Sequence, residues 1–277
     1  MSRLMNKPLA DKRSDLKQGQ IDILELIYKY RFASRQLLAV SLGIKSGSSL
    51  HEKLGVLAKH GYIQKRLEPK LKLQGTPAAY YLTPKGLRFL QALPGHEYIS
   101  EAVIRGSYRD GTVSQSFVNH ILRVYALTNA LKSFYPNLKI FMPRDMKQYP
   151  DFPDLLPDAF ISLKVDNKSL RFFLDIIPDN LPSKPLFQRI TKYAEFFEDG
   201  GWDEMSTVYP TLLFVGETGT TERRMRRIIK AALYKADLDE ELTILTTTIP
   251  AVENISDEGK IWTSLDDPDE LLALTDI

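Results

Sequence analysis

The chain has 277 residues, 43% of them hydrophobic, with 13 Phe, 13 Tyr, 37 Lys and Arg against 35 Asp and Glu, and no cysteine. This composition supports real cores and excludes a disordered chain, disulfides and thiolate zinc sites. No run approaches the roughly 20 apolar residues of a membrane span, and the first 20 residues lack the apolar stretch of a secretory signal, so a cytoplasmic protein without a membrane partner is expected.

The net charge of +2 conceals a split, because residues 1–95 carry +11 and residues 96–277 carry −9. A basic module joined to an acidic one fits the length, for which two domains are the natural expectation. Clustered positive charge marks a phosphate-binding surface, because neutralised phosphates release condensed counterions.

Residues 1–14 are polar and basic and read as a flexible arm. Helical spacing begins near Asp15, a candidate N-cap, with Ile21, Leu24, Ile27 and Tyr28 on one face. Ser34 is placed to cap a short second helix with Leu37, Leu38 and Val40, which Gly43 closes. After a turn, a third helix over about 48–60 places Leu50, Leu54, Leu57 and Ala58 inward. Gly61 stops it, Tyr62–Leu67 alternates as a strand, residues 68–78 form a loop, and Ala79–Leu82 returns before Thr83-Pro84 opens another helix. That order, over 15–95, is a winged helix-turn-helix.

A duplex-DNA surface follows from this order. The third helix and its approach present Lys45, Ser46, Ser48, Ser49, His51 and Lys53, Arg35 begins the second helix, and Lys65, Arg66, Lys70 and Lys72 make the wing basic. The third helix lacks Arg, Asn and Gln, the usual bidentate base readers, so backbone docking is expected to outweigh base readout.

Residues 96–114 are mixed in composition and read as a linker. A long helix to Phe134 follows, with His120 and Arg123 three apart on one side. Strands are expected at 138–141, 159–163, 170–177, 211–215 and 242–247, with a turn at Asn167, a Pro-rich loop over 143–157 and helices at 184–198 and 222–236. The whole is an α+β chain whose second domain, 115–250, is an α/β mixed sheet covered by helices. The helix at 222–236 is basic on one side. Residues 251–277 read as an acidic tail that recruits a basic partner or folds back on the basic module, the alternative being a solubilising terminus with Trp262 tucked into the core.

One pair of carboxylates suggests chemistry. Asp158 starts a strand and Asp175 ends the partner strand, so the two can converge on one divalent ion such as Mg²⁺. Here the chain resembles the PD-(D/E)XK nuclease-like fold, with Pro157-Asp158 and Asp175-Ile176-Ile177 as its elements. Ile177 stands where that pattern has Lys, leaving Lys192 or Arg189 on the next helix as substitutes. Catalytic and metal candidates are therefore Asp158, Asp175 and Lys192, and the expectation is no enzyme and no cofactor.

The segments YRFASRQLLAV, LGVLAKHGYIQKR, YYLTPKGLRFL, VNHILRVYALTNAL, LPDAFISL, RFFLDIIPDN and ITKYAEFF, in this order, resemble the replication-relaxation family of plasmid and integrative-element proteins. The resemblance implies a DNA-binding accessory in plasmid replication or conjugative mobilisation, partnered by a relaxase or replication protein, with a homodimer in view. The chain departs from the family pattern in having Ile177 two positions after Asp175, and Glu52-Lys53-Leu54 at the centre of the third helix in place of paired Arg. A Mg²⁺-dependent endonuclease and a winged-helix transcriptional repressor are the alternatives.

Overall fold

A computed structural model describes residues 16–67, 77–166, 168–236, 242–256 and 258–277. The expected arm, the Asp15 cap, the Asn167 turn and the wing lysines Lys70 and Lys72 lie outside the described residues.

Helix α1 (Gln18–Tyr30) buries Ile23, Leu24 and Ile27. Ser34 closes the two-residue strand β1 (Ala33–Ser34) and also caps α2 (Arg35–Ser41), its Oγ accepting from the Leu37 amide at 3.2 Å. Gly43, at φ +62°, turns the chain toward α3 (Ser48–Lys59), which buries Leu50, Leu54 and Leu57. Strands β2 (Ile63–Arg66) and β3 (Ala79–Leu82) pair antiparallel, and Thr83 caps α4 (Pro84–Gln91) by accepting from the Gly86 amide. A Cβ on Gly86 would stand 2.2 Å from the Tyr62 carbonyl oxygen, so only glycine lets α4 lie this close to the chain entering β2. Unlike the sequence reading, β1 also pairs with β3 and completes a three-stranded sheet ordered β1-β3-β2. Two residues are too few to show a period-two pattern.

The segment expected as a linker is ordered packing. It holds helix α5 (Glu101–Gly106), capped by Ser100, and a 3₁₀ turn at Ser107–Gly111. Asp110 on that turn is 1% exposed and accepts from Arg31 Nε and Nη2 at 2.9 and 2.7 Å, with Arg144 Nη2 3.6 Å from its other oxygen. Its Gly, Ser and charged residues conceal this role in the sequence, because the partners lie 79 and 34 residues away and burial depends on them.

Beyond α6 (Gln115–Phe134) come β4 (Leu138–Phe141), the short α7 (Pro143–Met146), β5 (Ala159–Val165) and β6 (Lys168–Ile177). They are followed by α8 (Ser183–Glu198), β7 (Thr211–Gly216), α9 (Gly219–Ala236), β8 (Ile244–Thr248) and α10 (Ile249–Glu253). Strands β9 (Trp262–Ser264) and β10 (Leu271–Leu272) complete a seven-stranded sheet ordered β10-β9-β8-β7-β6-β5-β4. The β6, β7 and β8 pairs are parallel, joined through α8 and α9, and the remaining pairs are antiparallel. The expected acidic tail is thus part of the sheet. Trp262 and Leu274 are fully buried while Asp266, Asp267, Asp269 and Glu270 face solvent, so the surface acids masked two short strands.

Both faces of the sheet are covered. On one, Phe172, Leu174 and Ile176 join a core shared with α6 and the N-terminal module. On the other, Phe173 and Ile177 pack beneath α8 and α9 with Leu186, Ile190, Met225 and Ile229. Asp175 falls within the all-buried run Phe172–Ile177, on the α8 side by strand alternation. Among the described residues no helix is long and apolar enough to cross a membrane.

Candidate functional site

Two regions carry the candidate residues. The first is the outer face of α3 and the strand beside it. Lys45, Ser46, Ser48, Ser49, His51 and Lys65 are all exposed. The inward heptad-like spacing of Leu50, Leu54 and Leu57 turns this polar face outward. Arg35 is half-buried beside Tyr80, whose hydroxyl pKa is raised by burial and held back by the Arg35 charge.

Two candidates are turned elsewhere. Lys53 folds along α1, its Nζ 2.9 Å from where a Cβ on Gly19 would stand. Arg66 reaches the connector, its Nη1 donating to the Asp110 carbonyl at 3.5 Å. Both side chains are half-buried and lie against neighbouring segments of the protein.

The second region is a cavity of about 610 Å³ between the start of α6, the end of β6 and α8, with Asp158, Asp175, His120, Arg189 and Lys192 in its walls. The structure brings Asp158 and Asp175 together, because β5 and β6 pair antiparallel and Ala159 lies opposite Leu174. The Asp158 amide donates to Asp175 Oδ1 at 3.2 Å, and the Ile176 amide donates to Asp158 Oδ2 at 2.9 Å.

The remaining oxygens are taken by side chains. Arg189 Nη1 donates to Asp175 Oδ1 at 2.6 Å, and the Tyr193 hydroxyl donates to Asp175 Oδ2 at 2.7 Å. His120 Nε2 lies 2.8 Å from Asp158 Oδ1. Arg189 and Tyr193 are four apart on α8, so one helical face delivers both to the same carboxylate. Of the two proposed substitutes for the missing Lys, Arg189 folds back onto Asp175. Lys192 is exposed in the cavity wall and, among the described residues, makes no hydrogen bond or ion pair with either carboxylate.

The electrostatics follow from this packing. Burial, and then the neighbouring Asp158 charge, lift the Asp175 carboxyl above the ordinary aspartate range, with the Arg189 guanidinium the main restraint. Burial opposes the charge on Arg189, but Asp175, Tyr193 and Asp158 outweigh it and hold the guanidinium protonated beyond its usual range. Burial and the Asp175 charge raise the Tyr193 phenol well above 10, so it stays a donor. For His120 burial is the largest single influence and disfavours charge. The Asp158 hydrogen bond and charge, with Asp175 behind, overcome it and raise the imidazole pKa above 6.5.

This donor set does not fit a divalent ion. Each carboxylate oxygen already has a protein donor, and a guanidinium stands 2.6 Å from the oxygen an ion would need. Among the described residues no three His, Cys, Asp or Glu side chains are grouped to hold a metal. His120, Arg189 and Tyr193 are three of the five members of the network. Only the Asp spacing and the position of Arg189 on the next helix pointed toward it in the sequence.

The family profile described as Replication-relaxation matches residues 24–212. No curated protein matches the chain. Among solved structures it is similar to the restriction endonuclease FokI, with TM-score 0.33 and 13% identity over 88% of this chain and 45% of FokI. It is also similar to FokI bound to DNA, with TM-score 0.31 and 10% identity over 85% of this chain and 43% of that one. The chain therefore spans less than half the length of the structures it matches.

Proposed function

The chain belongs to the replication-relaxation family, and on that premise we propose that it is a DNA-binding accessory protein of plasmid or mobile-element replication or conjugative mobilisation. In this reading the N-terminal module is a winged helix-turn-helix that docks on duplex DNA. The sheet domain is a nuclease-like fold without nuclease activity, offering its surface to a relaxase, a replication protein or a second copy.

The observation that carries it is the outer face of α3 with Lys65. Six polar or cationic side chains, from Lys45 to His51 and at Lys65, are exposed there, within the first 95 residues that carry a net +11. Support for a non-catalytic sheet domain is the closed carboxylate pair, where Arg189 and Tyr193 occupy the Asp175 oxygens. Phosphodiester cleavage needs a metal and positive charge disposed around the reacting phosphate, and this arginine is committed to the protein.

The test has two arms. Mobility shifts on duplex DNA over a salt series should give binding that falls steeply with salt. Supercoiled plasmid incubated with protein and Mg²⁺ should remain uncut. Nicking that disappears in both Asp158→Ala and Asp175→Ala would replace the accessory role with an endonuclease.

A further inference from the structure

The basic residues of α9 divide by direction. Arg226 points inward, with Nη1 donating to Thr263 Oγ1 at 2.8 Å and Nη2 to the Ser264 carbonyl at 2.7 Å, which ties α9 to β9. Arg224 is half-buried and reaches the Pro178 carbonyl at 3.5 Å. Arg223, Arg227, Lys230 and Tyr234 instead face solvent, and the Tyr234 side chain is 81% exposed.

Their spacing of four, three and four places these residues along one stripe. At 1.5 Å per residue it is about 16 Å long. Among the described residues no carboxylate pairs with its three cations, since Glu222 is engaged by Arg226 and Thr246.

Helix stability does not account for the stripe. Arg223 stands near the start of α9, where positive charge opposes the helix dipole, and the Tyr234 ring adds nothing to the core. Nor does duplex docking by the N-terminal module use it. That module shares a core with the other face of the sheet, while α9 covers the face opposite.

We propose that this stripe is a second nucleic-acid surface, one that takes an unpaired strand. Cations that track phosphates beside an exposed aromatic ring form the usual stacking platform for single strands, because an unpaired base presents a face to the ring. A duplex keeps its bases stacked on one another, and an acidic peptide would engage the cations but not the tyrosine. The inference stands apart from the docking assigned to α3 and rests on different residues.

Fluorescence anisotropy with the full chain tests it, using a labelled 15-nucleotide oligothymidine and a separate blunt duplex. Arg223→Gln/Arg227→Gln/Lys230→Gln should lose at least about tenfold in single-strand affinity and keep its duplex affinity within about twofold. Tyr234→Ala should lose about tenfold on the single strand, while Tyr234→Phe retains binding. All four positions are exposed, so these variants keep the fold. Unchanged single-strand binding in the triple variant or in Tyr234→Ala overturns the inference, as does an equal loss on the duplex. A polyglutamate peptide that displaces the oligonucleotide from the wild-type stripe at equal concentration would assign it to an acidic protein partner instead. Unchanged single-strand binding leaves the α3 assignment intact, because that assignment is read from the effect of Lys65→Ala on duplex binding, whereas an equal loss on the duplex would move duplex docking to α9 as well.

Discussion

The outer face of α3 and the carboxylate pair beneath α8 are both polar, both predicted from the sequence, and opposite in what the fold does with them. On α3 the serines and His51 are exposed. At the pair, four oxygens receive five donors from the protein itself, and Asp175 is 2% exposed. Polar groups left to water retain their capacity to bind a partner. A buried charge must be satisfied where it stands, and once satisfied it serves the fold. The difference separates polar groups left open to a partner from a buried pair that the fold itself satisfies.

The largest effect should come from removing the cation at the closed pair. Arg189→Met leaves Asp175 buried without its counter-charge, so chemical denaturation should show a loss of about 3–5 kcal/mol. DNA affinity of the folded fraction should be unchanged. Replacing the group together, as Arg189→Met/Asp175→Leu/Tyr193→Phe, should recover much of that loss, because an apolar set of similar volume needs no pairing. If Arg189→Met instead keeps its stability and loses DNA or partner binding, the pair is a working site and the contrast fails.

A smaller effect is expected at His120. Its imidazole pKa is raised in the folded protein, so its stabilising contribution is fully present below the unfolded value of about 6.5 and is lost as pH rises through the higher folded value. His120→Ala should therefore cost about 1.5 kcal/mol in mildly acidic buffer and progressively less toward alkaline pH. Paired denaturation curves of the two proteins across that range check the sign, and a gap that widens with pH would contradict the His120–Asp158 assignment.

The wing sharpens the comparison from the other side. Lys65→Ala should weaken duplex binding about two- to fivefold on every sequence and flatten the log–log salt slope by about 0.9, as loss of one phosphate contact does. Arg66 reaches the connector carbonyl, so Arg66→Ala should also lower the melting temperature, which Lys65→Ala should not.

Legibility in the sequence followed range. Elements within one stretch of chain were readable, because caps and periodicity are local. Ser34 and Thr83 begin helices where expected, and the leucines of α3 keep their spacing. The Asp158–Asp175 approach was readable because a hairpin joins them. Asp110 with Arg31 and Arg144, and His120 reaching Asp158 across 38 residues, had no local signal. Strands β9 and β10 were hidden for a different reason, since exposed acids dominate the composition around a buried Trp262 and Leu274. The charge split located the basic module but did not show that Lys53 lies beside Gly19 or that Arg66 reaches the connector.

The smallest effect on affinity, and the finest test of the open surface, concerns Ser48 and His51. Both are exposed in the first turns of α3, where a helix entering the major groove brings side chains to base edges. A hydroxyl and an imidazole make single hydrogen bonds, without the bidentate match that gives Arg or Asn about 1–3 kcal/mol of discrimination per base. Ser48→Ala and His51→Ala should therefore shift the ranking of sites in a randomised-duplex selection while changing affinity for bulk duplex less than about twofold. Loss of bulk affinity in these variants, comparable to that of Lys65→Ala, would make the two side chains phosphate contacts. The α3 face would then hold the duplex in register without reading it, and specificity would have to reside in DNA shape or in a protein partner.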